Sequence, residues 1–193
     1  TAQPLVVLEA MKADAEEAGV RFALHERVIG YKNGCLQTDR DSYSAGYFIN
    51  TAGLYADRIA QLFGFAKNYR ILPFKGLYLY SQEAPGAFRT NIYPVPNLRN
   101  PFLGVHVTVT TDGKGKIGPT AIPAFWREQY GGLAGFHLGE FLEIAMLNTR
   151  LWFTANFDIR TLAREELAKY NRRHLVKQSG ALATDMRPED YVN

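Results

Sequence analysis

The stretch Phe102-Leu-Gly-Val-His-Val-Thr-Val-Thr110, followed by Asp112-Gly-Lys-Gly-Lys-Ile-Gly-Pro-Thr120, decides how this chain is read. In its first part Leu103, Val105, Val107 and Val109 alternate with Gly104, His106, Thr108 and Thr110. A period of two predicts a β-strand with one apolar face and one polar face. Asp112-Gly113 is a strong turn pair, and Lys116-Ile117-Gly118 resumes the extended pattern, so the spacing predicts a hairpin. On the polar face Gly104 would leave room above the sheet while His106 and Thr108 supply polar groups, the composition of a pocket floor. The same alternation also describes an ordinary antiparallel sheet with one side in solvent, and the pattern alone leaves both readings open.

Working outward, Ile71 to Tyr80 reads as a strand with Phe74, Gly76, Tyr78 and Tyr80 on one face and Lys75 on the other. Pro85-Gly86 turns the chain into Arg89 to Tyr93, and Pro94, Pro96 and Pro101 bracket a loop. Toward the N terminus, Pro4 to Ala18 predicts a helix with Leu5, Leu8, Met11 and Ala15 along one face, stopped by Gly19. Short strands follow at Val20 to Leu24, Arg27 to Tyr31, Leu36 to Thr38 (after the turn Asn33-Gly34) and Tyr43 to Asn50, and a helix runs from near Leu54 to Gly64. Beyond the joint Gly131-Gly132 the pattern becomes helical, over His137 to Thr149. A last long helix is capped by Asp158, with Ile159, Leu162, Ala163, Leu167 and Tyr170 along its buried stripe. The fold class is α+β, α/β in part, with a boundary near Leu72-Pro73.

Composition narrows the function. The chain has 193 residues, 47% hydrophobic and 21% charged, which is globular composition with enough length for one large domain or two small ones. A net charge of +3 is too mild to argue for nucleic acid. The single Cys35 excludes an internal disulfide and fits a reducing compartment, the cytoplasm. There is no signal peptide and no apolar run long enough to cross a membrane. The first residue is Thr1, which suits a piece of a longer chain.

Two places could carry chemistry. At Ile49-Asn-Thr-Ala-Gly53 a strand gives way to a helix through small residues, which let backbone amides approach an anionic cofactor; a tight turn without a ligand has the same sequence. His106, with Tyr93 and Lys75 as neighbours, could take a proton from a substrate hydroxyl while lysine or tyrosine holds a carboxylate; a structural histidine is the competing reading. His25, His137 and His174 read as structural. No Cys or His spacing suggests a metal, and neither GxSxG nor a P-loop lysine is present. Gly113-Lys-Gly-Lys-Ile-Gly118 has the look of a phosphate loop but sits in a hairpin and opens no helix. Lys169, Arg172, Arg173 and Lys177 read as a basic helix face, solvated by default, with contact to an acidic membrane surface as the minor alternative.

Taken in order, Asn50-Thr-Ala-Gly-Leu-Tyr-Ala-Asp57, Leu72-Pro-Phe-Lys-Gly76, Ile92-Tyr-Pro-Val-Pro96, Phe102-Leu-Gly-Val-His106, Asp112-Gly113 and Gly118-Pro-Thr-Ala121 resemble the L-2-hydroxyglutarate dehydrogenases/oxidases. These belong to the larger group of D-amino-acid-oxidase-like flavoproteins, and the resemblance runs from near Thr1 to about Asn193. It implies an FAD-binding domain built from separated segments, with residues 1–72 as its middle segment. Residues 73–193 would form a substrate-binding domain with a large antiparallel sheet over the flavin and C-terminal helices. It further implies that Val28 meets the adenine through its backbone, that Thr51, Ala52 and Gly53 line the cofactor, and that His106 faces the flavin. Lys75, Tyr93 and Thr108 are then substrate-binding candidates, although the position of Lys75 is often arginine in the family. The family's opening GxGxxG turn and its closing glycine- and arginine-containing segment are not in this sequence, so the resemblance is to an internal fragment.

The implied reaction is oxidation of L-2-hydroxyglutarate to 2-oxoglutarate, with His106 as base and hydride passing to FAD. Oxygen or a membrane quinone would take the electrons, at a cytoplasmic or peripheral inner-membrane location. Related flavoenzymes acting on amino acids or glycerol 3-phosphate are the alternative within the group. A non-catalytic ligand-binding module, or a truncated domain that associates through its uncovered surfaces, are the readings from other classes.

Overall fold

A computed structural model describes residues 2–96, 102–155 and 158–192, and its contacts divide the chain into two compact units, Gln3–Ile71 and Leu72–Asn193. In the first unit, α1 (Pro4–Glu17) carries its proline in the first turn and is followed by Gly19 at φ +89°. The antiparallel meander β1 (Val28–Lys32), β2 (Cys35–Thr38) and β3 (Ser42–Ser44) comes next. Its first turn holds Asn33 and Gly34 at φ 53° and 79°, the left-handed pair that a two-residue hairpin requires. A 3-10 turn, Gly53–Tyr55, leads into α2 (Ala56–Leu62). Buried Asp57 fastens the start of this helix to the end of the unit, accepting from the Arg58 amide at 2.9 Å and the Ile71 amide at 3.1 Å.

Two expected strands are shorter or absent here. Val20 to Leu24 forms no strand, and β3 stops at Ser44 instead of running to Asn50, because among the described residues no further strand pairs with them. The apolar stripe of α1 exists but lies open: Leu5, Leu8 and Met11 are 67%, 62% and 63% exposed. Tyr31, Phe48 and Phe63 gather their rings, with Tyr31 stacked on Phe63 at 4.1 Å.

The second unit holds β4 (Phe74–Lys75), β5 (Leu79–Ser81), β6 (His106–Val109), β7 (Gly115–Gly118) and β8 (Ile122–Pro123). After these come α3 (Leu138–Thr154), α4 (Ile159–Ala168), α5 (Arg172–Ser179) and β9 (Tyr191–Val192). The main sheet runs β6-β7-β5-β9, all antiparallel, and β4 pairs separately with β8. Leu79, Val107 and Ile117 lie in register across one face of the main sheet, under Leu175 and Val176 of α5, with Tyr191 completing the core. Each such aliphatic side chain contributes about 1.5–3 kcal/mol by leaving water.

Local competition explains the other departures. The expected strand from Ile71 to Tyr80 breaks at Gly76–Tyr78 because Thr120 captures Leu77: its hydroxyl accepts the Leu77 amide at 3.0 Å and its own amide reaches the Leu77 carbonyl at 3.3 Å. Arg89 to Tyr93 contributes only one bridge, Ile92 to Val107. The single last helix is two, since the Asn171 side chain accepts the Arg173 amide at 2.9 Å and starts α5 afresh. Asp158 does cap α4, accepting from Thr161.

The buried stripe of α4 was expected to be apolar; instead Leu167 and Tyr170 are exposed, and Glu166 and Lys169 are buried. Lys169 is therefore no part of a basic surface. Its ammonium pairs with one oxygen of Glu166 while the other accepts the Ala121 amide at 2.8 Å.

Candidate active site

Because cross-strand partners share a face, the register of the main sheet fixes what lies opposite the core. His106 pairs with Gly118, and Tyr78 lies beside Gly118 on β5's N-terminal side, so these three form one row. Thr108, Lys116 and Tyr80 form the next. The polar face predicted from the alternation of β6 thus exists, and two neighbouring strands extend it.

The face is not an open floor at His106. Tyr93 stacks on the imidazole, ring centroids 4.4 Å apart, and His106 is only 5% exposed. The Ile92–Val107 bridge brings Tyr93 there, with backbone bonds of 2.9 Å in both directions. His106 Nδ1 lies 3.0 Å from the Gly104 carbonyl. A carbonyl only accepts, so Nδ1 carries the proton and Nε2 keeps its lone pair in the neutral ring. Gly104 serves this contact and does not leave space above the sheet: a Cβ there would sit 2.8 Å from the Pro94 ring. The glycine that shapes the face is Gly118, at φ +144°, where a Cβ would meet the Leu77 carbonyl at 2.6 Å and the Tyr78 ring at 2.8 Å.

Of the residues singled out in the sequence, His106, Tyr93 and Thr108 come together on this face. Lys75 stands on the separate β4–β8 pair, opposite Ile122. It lines a cavity of about 310 Å³ with Gly76, Tyr78, Leu103 and Thr120, and a largely apolar one of about 620 Å³ that runs between β8, α3 and α4. In the other unit, Thr51, Ala52 and Gly53 are exposed, the Asn50 side chain holds the joint by accepting the Ala52 amide at 3.2 Å and donating to the Ala56 carbonyl at 2.8 Å, and Gly53 has φ +52° with open space where a Cβ would be. Val28 is half-buried at the start of β1.

Tyr78 and Lys116 were not singled out as site residues. Burial holds the Tyr78 phenol above its ordinary pKa, with Tyr93 and Tyr80 adding to the effect, so it is a neutral donor on this face. The Lys116 ammonium lies over the Tyr78 ring, 4.5 Å from its centroid. The signal that finds them is the register of three strands, which no single stretch contains. Among the described residues no group of His, Cys, Asp and Glu could hold a metal ion, and no helix is long and apolar enough to cross a membrane.

A family model described as DAO, FAD dependent oxidoreductase, matches residues 1–179. The chain belongs to this family. It is similar to the mitochondrial L-2-hydroxyglutarate dehydrogenase of Bos taurus, 52% identical over 85 residues, which are 44% of this chain and 18% of that protein. It is similar also to the L-2-hydroxyglutarate dehydrogenase of Escherichia coli (strain K12), 39% identical over 130 residues, 64% of this chain and 31% of that protein. The DAO-family chain thus spans less than a third of the length of either relative. A crystal structure of L-proline dehydrogenase from P. horikoshii superimposes with a TM-score of 0.42 at 18% identity, covering 77% of this chain and 39% of that one.

Proposed function

We propose that this chain is part of an FAD-dependent enzyme that oxidises a 2-hydroxy acid, L-2-hydroxyglutarate in the first instance, to the 2-oxo acid. In this reading residues 1–72 are the middle segment of the FAD-binding domain and residues 73–193 the substrate-binding domain. The substrate assignment is supported by the names of both relatives. The observation that carries the chemistry is the pinned imidazole: Nδ1 is tied to the Gly104 carbonyl, so Nε2 is the nitrogen that takes the substrate's hydroxyl proton. Tyr93, stacked on the ring, keeps water from it and with Thr108 on the same face would bind the substrate, while Lys75, on the separate β4–β8 pair, stands as a further candidate at the cavity it shares with Tyr78.

The residues present fit the cofactor of the family. The exposed small joint at Thr51–Gly53 offers backbone without side-chain bulk, and the open space at Gly53 lets a large group approach. With Val28 these residues would hold part of FAD, which supplies the hydride acceptor when bound. The single Cys35 suits a reducing compartment, and we take the cytoplasm or a peripheral place at the inner membrane as the location, with oxygen or a quinone as the final acceptor.

The test is the absorbance of the full-length, flavin-loaded protein mixed anaerobically with L-2-hydroxyglutarate. The expected result is bleaching of the flavin band, with D-amino acids and glycerol 3-phosphate inert. Bleaching by one of those instead would replace the substrate assignment.

A further inference from the structure

Resting on that substrate reading, we infer that Lys116 takes the far carboxylate of the dicarboxylic substrate, with Thr108 beside it, and so makes the site selective for a second negative charge. Three observations converge. Lys116 is on the face that carries His106, as the pairs His106–Gly118 and Thr108–Lys116 require. Its side chain is half-buried and lies back over Tyr78 toward the His106 row. Among the described residues its side chain meets that ring and no carboxylate pairs with it. An ammonium that no carboxylate neutralises is available to an incoming carboxylate.

The contrast with Lys169, which is buried, is informative. Lys169 is neutralised inside the fold by Glu166, the arrangement expected of a structural charge. Lys75, the other cation considered for the substrate, is on the separate β4–β8 pair and not in the His106 register.

The spacing suits the chemistry. Two residues along a strand is about 7 Å, so the Lys116 row is one step from the His106 row. In 2-hydroxyglutarate the far carboxyl carbon is three bonds from the carbon that bears the hydroxyl. With that hydroxyl at Nε2 and the carbon chain laid along the strand, the far carboxylate would come toward the Lys116 row, within reach of its four-carbon stem.

The experiment compares L-2-hydroxyglutarate with L-2-hydroxypentanoate, the five-carbon acid lacking the far carboxylate, in the full-length protein and its Lys116→Met and Lys116→Arg variants. In Lys116→Met, kcat/KM for the dicarboxylate should fall about 10- to 100-fold, mostly through KM, while that for the monocarboxylate stays within about twofold. Lys116→Arg should recover most of the loss. An equal fall for both acids makes Lys116 structural and overturns the inference, as does an unchanged ratio. If the unaltered protein oxidises no 2-hydroxy acid, the substrate reading fails and takes the inference with it; if it oxidises both acids equally well, only the inference fails. Glutarate and pentanoate as inhibitors give a second readout: loss of the preference for glutarate in Lys116→Met is expected, and its retention contradicts the assignment.

Discussion

Leu79, Val107 and Ile117 stand next in sequence to Tyr78, His106 and Lys116, yet the two sets face opposite sides of the sheet. The first set is sealed under Leu175 and Val176 and has no freedom of chemistry. The second carries a pinned imidazole, a neutral phenol and an unpaired ammonium. Where the fold buries a charge it neutralises it, as Glu166 of α4 does Lys169 just beyond the helix. The difference is one of chemistry and not of burial, since His106 is as buried as the core residues behind it.

The comparison can be broken at the paired charge first. Glu166→Ala leaves Lys169 and the Ala121 amide without their partner and should cost about 3–5 kcal/mol in denaturant unfolding, whereas Glu166→Leu with Lys169→Met should return much of it. A small effect of the single change would remove the distinction between paired and unpaired charge. Next, Ile117→Ala should cost roughly 2–5 kcal/mol, while Lys116→Ala, one residue away on the other face, should stay within about 0.5 kcal/mol. Equal losses would mean that both faces are structural.

The mildest effect is at Tyr191. Burial raises its phenol to about 12, with the charges of Glu83 and Asp190 adding to the rise. The unfolded chain ionises at about pH 10, so the folded state gains from the protonated phenol below that pH and loses the gain as the pH climbs toward about 12. Tyr191→Phe should flatten that part of the stability curve, measured by denaturant unfolding between pH 8 and 12. Parallel curves for the two proteins would contradict it.

The two units teach a related lesson. Among the described residues the buried hydrophobic ones lie in Leu72–Asn193, while Gln3–Ile71 leaves Leu5, Leu8 and Met11 in the open. The periodicity of α1 was legible in its sequence because the spacing of apolar residues is a local property. Whether that stripe is covered is not local, and the sequence of the helix is silent on it. The β6–β7 hairpin was legible for the same reason as α1, from strict alternation and Asp112-Gly113. The break at Gly76–Tyr78 was not, since it depends on Thr120 more than forty residues away.

The same division runs through the site. Alternation placed His106 and Thr108 on one face, and the structure agrees. It did not foresee the stacked Tyr93, which depends on the Ile92–Val107 bridge, or the approach of Lys116, which needs the hairpin to close. Lys169 misled as a surface charge because its partner is three residues earlier on a face read as apolar.

The most direct measurement is the rate of anaerobic flavin reduction by L-2-hydroxyglutarate in the full-length protein and its His106→Asn variant at equal flavin occupancy. With His106 as the base, the variant should keep its flavin and its fold and lose about 10²- to 10⁴-fold in rate. A variant that reduces flavin at near the normal rate would show that the face opposite the core does not carry the chemistry assigned to it.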